Sequence, residues 1–95
     1  MSTTHYCYVI EAGSFVKIGY SNNMDKRKET LQTASPHEIM VICLFPYKEK
    51  SAAMEMEAHL HSKLNKHRIR GEWFSKYPVL GFLKSNGKQC KNRST

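Results

Sequence analysis

Two β-rich runs, His5 to Glu11 and Ser14 to Tyr20, are joined only by Glu11-Ala12-Gly13-Ser14. A glycine-bearing connection that short implies a hairpin, with the two strands side by side. Ser21-Asn22-Asn23 then offers helix N-caps for Met24 to Gln32, and Asp25 falls in the first turn, where a carboxylate favours the helix dipole. Met24, Lys28 and Leu31 recur along one side of that helix and predict a buried stripe with Arg27 flanking it. Ser35-Pro36 stops the helix, because the residue before a proline is pushed out of helical geometry.

Glu38 to Phe45 is nearly continuous in apolar residues, which predicts a central strand covered on both faces and ended by Pro46. Lys48 to Lys66 contains neither Gly nor Pro. Ala53, Met54, Ala58, Leu60 and Leu64 recur there at helical spacing and predict a long second helix. Gly71 breaks the basic loop that follows, and Glu72-Trp73-Phe74 closes the core, with Glu72 at its edge. Tyr77 to Leu83 reads as a short last helix despite Pro78 and Gly81. The expected order is β-β-α-β-α plus a short C-terminal helix. This is an α+β domain built on a small three-stranded sheet flanked by helices.

At 95 residues the chain is one domain, and 40% apolar content suffices for a compact core. No apolar run reaches the ~18–20 residues a membrane span needs, and the N-terminus lacks the regions of a signal peptide. A cytoplasmic protein with no membrane partner is expected. The net charge is +7, but from Lys84 onward there are four basic residues and no acids, leaving 11 basic against 8 acidic residues in the body. Residues 1–84 are therefore read as the folded domain and 85–95 as a flexible basic tail able to meet phosphates non-specifically. Cys7, Cys43 and Cys90 are odd in number and widely spaced, which suggests neither a zinc ribbon nor a disulfide framework. Cys7 and Cys43 read as reduced, buried thiols without a function.

Tyr6-Cys7-Tyr8, Lys17-Ile18-Gly19 and an arginine eight residues past that glycine, Arg27, form a recognisable set. The set resembles the GIY-YIG nuclease family, specifically its small, often phage-encoded subgroup in which the second motif reads KIG. Gly71-Glu72-Trp73-Phe74 is similar to the ending typical of that subgroup. The resemblance spans Tyr6 to Phe74, and it implies a three-stranded sheet with helices in the order read above. It also implies a metal-dependent endonuclease that hydrolyses DNA phosphodiester bonds. Two positions depart from the wider family: Leu31 stands where many members carry histidine or tyrosine, and the family's late asparagine has no counterpart.

Hydrolysing a phosphodiester takes an activated water, stabilised charge on the phosphoryl oxygens and help for the leaving oxygen. The resemblance gives Tyr8 the role of general base or water-orienting relay. A phenol with an ordinary pKa near ~10 needs cations beside it for that task, and Lys17 and Arg27 are the neighbours expected to supply them. Taken alone, Tyr8 and Lys17 read as ordinary strand residues, and Arg27 as a solvated helix face. An arginine fork suits a crowded phosphoryl group. The resemblance makes Glu57 the metal ligand on the second helix, and one carboxylate with waters suits Mg²⁺ or Mn²⁺. His61, four residues on, shares Glu57's face and is a candidate to support the ligand or protonate the leaving group. Glu55 and His59 point elsewhere, and Tyr20 is a candidate for the polar group missing at Leu31.

Lys26, Lys28, Lys63, Arg68 and Arg70 are the expected nucleic-acid contacts, joined by Lys66. So small a surface implies nicking with little sequence specificity, with targeting left to a partner protein or a homodimer. The alternative is a non-catalytic nucleic-acid-binding module on the same fold. A third reading is a regulatory protein whose basic face meets an acidic partner.

Overall fold

In a computed structural model of the chain, residues 3–85 are described. Strands β1 (His5–Ala12) and β2 (Phe15–Ser21) form the expected antiparallel hairpin. Gly13 turns it at φ +63°, a left-handed conformation open to glycine without steric cost. Tyr8 pairs with Gly19, Val9 with Ile18 and Ile10 with Lys17. Because strand side chains alternate, Tyr8, Ile10, Lys17 and Gly19 share one face of the sheet, and Cys7, Val9, Val16 and Ile18 the other.

Helix α1 (Met24–Thr33) starts where the caps predict: the Asn23 side-chain oxygen accepts the Lys26 N–H at 3.1 Å. Of the expected stripe, Met24 is buried, Leu31 is half-buried and Lys28 is exposed. Strand β3 (Ile39–Tyr47) and helix α2 (Lys50–Lys63) follow, then a 3₁₀ turn over Asn65–His67. The chain continues through β4 (Arg68–Arg70), β5 (Trp73–Ser75) and α3 (Lys76–Ser85).

The sheet is five-stranded and antiparallel, in the order β3-β1-β2-β5-β4, and not the three-stranded sheet expected from the sequence. The two added strands are three residues each, too short for an alternating pattern to register. Gly71, at φ +56°, is the turn of their hairpin and not a break in a loop. β3 also differs from expectation. It is covered on both faces, but it lies at the edge of the sheet, with β1 between it and β2. Pro46 lies inside β3 opposite Tyr6, which an edge strand tolerates because one side needs no donor.

Two apolar clusters sandwich the sheet. Val9, Ile18, Cys43 and Phe74 meet Leu60 and Leu64 at the end of α2 and Val79 and Leu83 of α3. Tyr8, Ile10, Ile39 and Val41 meet Met24 on the opposite face, with Leu31 and Trp73 packed against them. Complete burial of Leu60 or Phe74 contributes about 1.5–3 kcal/mol each. In α2, Met54 and Ala58 are exposed, whereas Ala53, Leu60 and Leu64 turn inward. Glu57 falls within that inward stripe. Cys7 is a free, buried thiol as expected, whereas Cys43 is held in a disulfide. Among the described residues no helix is long and apolar enough to cross a membrane. The expected basic tail lies outside the described residues, except Ser85, which closes α3.

Candidate active site

β5 covers β2 only as far as Lys17, which pairs with Trp73. One further backbone bond, from the Ile18 N–H to the Glu72 carbonyl at 3.0 Å, fixes the end of the β4–β5 hairpin against β2. Beyond it, β2 runs on without a β5 partner, and its residue there is Gly19. The missing side chain matters: a Cβ at Gly19 would lie 2.5 Å from the Tyr8 hydroxyl oxygen and 3.0 Å from Glu72 Oε1. The Tyr8 phenol therefore reaches across the strand over the glycine toward the Glu72 carboxylate. Gly19 thus admits the Tyr8 side chain across the strand.

Lys17 Nζ lies 3.3 Å from Glu72 Oε1 and over the Trp73 ring, 5.4 Å from its centroid. Glu57 arrives from α2, with its side chain 16% exposed, and its carboxyl hydrogen-bonds that of Glu72. Burial, that hydrogen bond and the Glu72 charge push Glu57 up to about 7, against a smaller downward pull from Lys17. Two carboxyl groups held this close favour sharing a proton.

Tyr8 is 1% exposed. Burial pushes its phenol up to about 12; Arg27 pulls it down, while Glu72, Glu57 and Cys7 add to the rise. The expectation that cations would lower this phenol is thus met only by Arg27, and burial outweighs it. Tyr8 is a neutral donor at physiological pH. Cys7 is likewise pushed up to about 12, by burial and the same two carboxylates, and remains an inert thiol.

His61 Nε2 lies 2.9 Å from the Ile18 carbonyl oxygen, and its Nδ1 lies 3.3 Å from Arg68 Nη2. The carbonyl requires a donor at Nε2 and the guanidinium an acceptor at Nδ1, which together assign the tautomer. Both ring nitrogens are engaged, and the ring edge packs on Phe74. His61 therefore clamps α2 to the open part of β2, with Nε2 4.0 Å from Glu57 Oε2.

Arg27 is exposed on α1, beside a polar cleft of about 270 Å³ that it lines with Ser21, Asn23, Lys26 and Thr30. Tyr20 is set apart from Tyr8: it pairs with Cys7 on the opposite face, bonds His5 Nδ1 at 2.7 Å and carries Lys50 over its ring. Lys26, Lys28, Lys63, Arg68 and Arg70 are all exposed, as are Glu55 and His59. The structure thus links Tyr8, Lys17 and Glu57 through Glu72 beside Gly19, with His61 next to Glu57 and Arg27 acting on the phenol. Glu72 joins them from the edge of the core, where the sequence placed it. Its signal was Gly71, whose turn swings Glu72 toward β2.

The T5orf172 domain family model matches residues 5–92, nearly the whole chain. The chain belongs to the T5orf172 domain family. No curated protein and no solved structure matches it. In T5orf172 terms the match takes in every element of the sheet, all three helices and the whole Gly19 cluster.

Proposed function

We propose that this T5orf172 domain is a metal-dependent endonuclease of GIY-YIG type, hydrolysing DNA phosphodiester bonds by nicking. The observation that carries this reading is the meeting of Tyr8, Lys17 and Glu57 around Glu72, beside Gly19. Lys17 and Arg27 supply cations for the phosphoryl oxygens. Tyr8, held neutral, orients a phosphate oxygen by donating its proton in a hydrogen bond. His61 is a positioning residue that holds α2, and with it Glu57, against β2.

Glu57 and Glu72 are hard oxygen donors facing one another, which fits Mg²⁺ or Mn²⁺ better than a soft metal. Among the described residues no three His, Cys, Asp or Glu side chains gather to hold an ion alone, so waters and substrate oxygens would complete the shell. When bound there, the cation would polarise the phosphoryl group and stabilise the leaving oxygen.

The deciding experiment is nicking of supercoiled plasmid with Mg²⁺ or Mn²⁺ by wild type, Glu57→Ala and Arg27→Ala. Cleavage lost in both variants and with chelator supports the reading; equal cleavage by all three removes it. The buried, neutral phenol favours a second reading, a nucleic-acid-binding module without chemistry. Folded protein that retards DNA but never cuts would establish that one.

A further inference from the structure

Outside the Gly19 cluster, the most distinctive surface is a groove of about 300 Å³, walled by Phe15, Pro36, His37, Ile69, Arg70 and Trp73. Its lining is almost wholly apolar, and Phe15 and Ile69 are 44% and 55% exposed. Side chains of that size gain nothing from facing water.

The walls are set before any ligand arrives. The ring of His37 rests against the β1–β2 turn, where a Cβ at Gly13 would lie 3.2 Å from it. The His37 N–H donates to Ser35 Oγ at 3.1 Å, and Gln32 Nε2 donates to the His37 carbonyl at 3.0 Å. On the other side, Trp73 is paired to Lys17 in the ladder and packs on the core. Trp73 is thus shared: it lines the groove and carries on its ring the Lys17 ammonium that pairs with Glu72.

Charge decides what would fit. Among the described residues no acidic side chain lines the groove, and Arg70 forms part of its wall. Among the described residues no carboxylate pairs with Arg70. An apolar slot with two aromatic walls and the Arg70 guanidinium in its wall suits a base attached to a phosphate backbone. It is a poor match for an apolar peptide, which would leave that cation unanswered.

We propose that this groove receives an unpaired base, stacked on Trp73 and Phe15 with its phosphate at Arg70, so that the preferred ligand is a single-stranded or locally unpaired nucleic acid. The proposal rests on the nuclease reading only for the purpose of the contact; the binding itself does not require cleavage. A duplex keeps its bases stacked and offers the groove nothing.

Trp73 is the chain's single tryptophan, so its fluorescence reports on the groove directly. The full chain, in chelator to prevent cutting, is titrated with an oligothymidylate and with a blunt duplex of equal length. The expected result is saturable quenching by the oligothymidylate and about tenfold tighter binding of it than of the duplex. Phe15→Ala should abolish that difference without lowering the melting temperature. Ile69→Ser, at a second exposed wall position, should weaken it.

Equal affinities, binding without quenching, or no binding of either strand form would overturn the proposal. So would a concentration-dependent dimer whose loss in Phe15→Ala showed that a second copy fills the groove. Plasmid nicking keeps the two claims separable. Single-strand preference without metal-dependent nicking leaves the groove standing and removes the nuclease; nicking without that preference does the reverse.

Discussion

Gly19 is where a single atom matters most. A Cβ there would overlap the Tyr8 hydroxyl and crowd Glu72, and the phenol is too deeply buried to swing away freely. Gly19→Ala should cost about 1–3 kcal/mol, the usual range for overpacking, and should lower nicking together with stability. Combining it with Tyr8→Phe should recover part of the stability, because the offending oxygen is gone, but none of the activity. Melting curves of the four proteins form the cycle; strict additivity would place the strain elsewhere. Glu57 gives a second prediction at this scale. Its folded value, about 7, lies above its ordinary 4.5, so between those pH values the folded protein keeps a proton that the unfolded chain has lost. Its contribution is full below pH 4.5 and falls as pH rises through 7, by roughly 1–3 kcal/mol. In chelator, wild type should therefore lose melting temperature between pH 5 and pH 8 relative to Glu57→Gln. Parallel curves would mean that the two carboxyls do not share a proton. The sequence made Tyr8, Lys17, Arg27 and Glu57 legible because each sits in a motif or on a helix face. It could not show the direction of Tyr8's shift, which depends on burial and on a carboxylate 64 residues further along the chain.

At the scale of elements, the part of β2 beyond Lys17 stays paired to β1 but has no β5 partner on its other side. The Glu72 carbonyl takes the Ile18 N–H, and His61 bonds the Ile18 carbonyl. His61→Ala removes the second contact and also leaves Arg68 without its imidazole partner. The loss should be about 1–2 kcal/mol, within the range for a part-buried hydrogen bond and its orphaned acceptor. If His61 is a positioning residue, the variant should cut more slowly with an unshifted pH profile. If it protonates the leaving group, the alkaline limb of the profile should disappear instead. The hairpin, α1, α2 and α3 were legible in the sequence, since caps, helical periodicity and a short glycine connection each leave a local trace. β4 and β5 were not: three residues carry no period, and their pairing is set by tertiary contact with Lys17 and Phe15. β3 misled for a related reason. A doubly apolar run reports burial on two faces and carries no information about strand order, so an edge strand under two covering layers looks central.

For the whole molecule, the charge of +7 is an incomplete guide to binding. At physiological ionic strength, charges further apart than about 8 Å are largely screened, whereas the domain extends 37 Å along its longest axis. Affinity should therefore follow the number of phosphates touched and not the total charge. Lys26 and Lys28 project from α1, while Lys63 ends α2 and Arg70 stands on β4 at the groove. A nucleic acid passing over the Gly19 cluster could contact one of these groups or both, and the salt dependence of binding distinguishes the cases. Each lost phosphate contact lowers the slope of log K against log salt by about 0.9 for duplex and about 0.7 for single strands. Fluorescence anisotropy in chelator should give a reduction of about that size for Lys26→Gln and for Arg70→Gln. The double variant should show the sum, as expected for a strand running from α1 across the site to β4. A slope that changes for Arg70→Gln alone would confine the path to the groove side. Arg27 would then have no strand above it, and the placement of the phosphate between Arg27 and Lys17 would have to be given up.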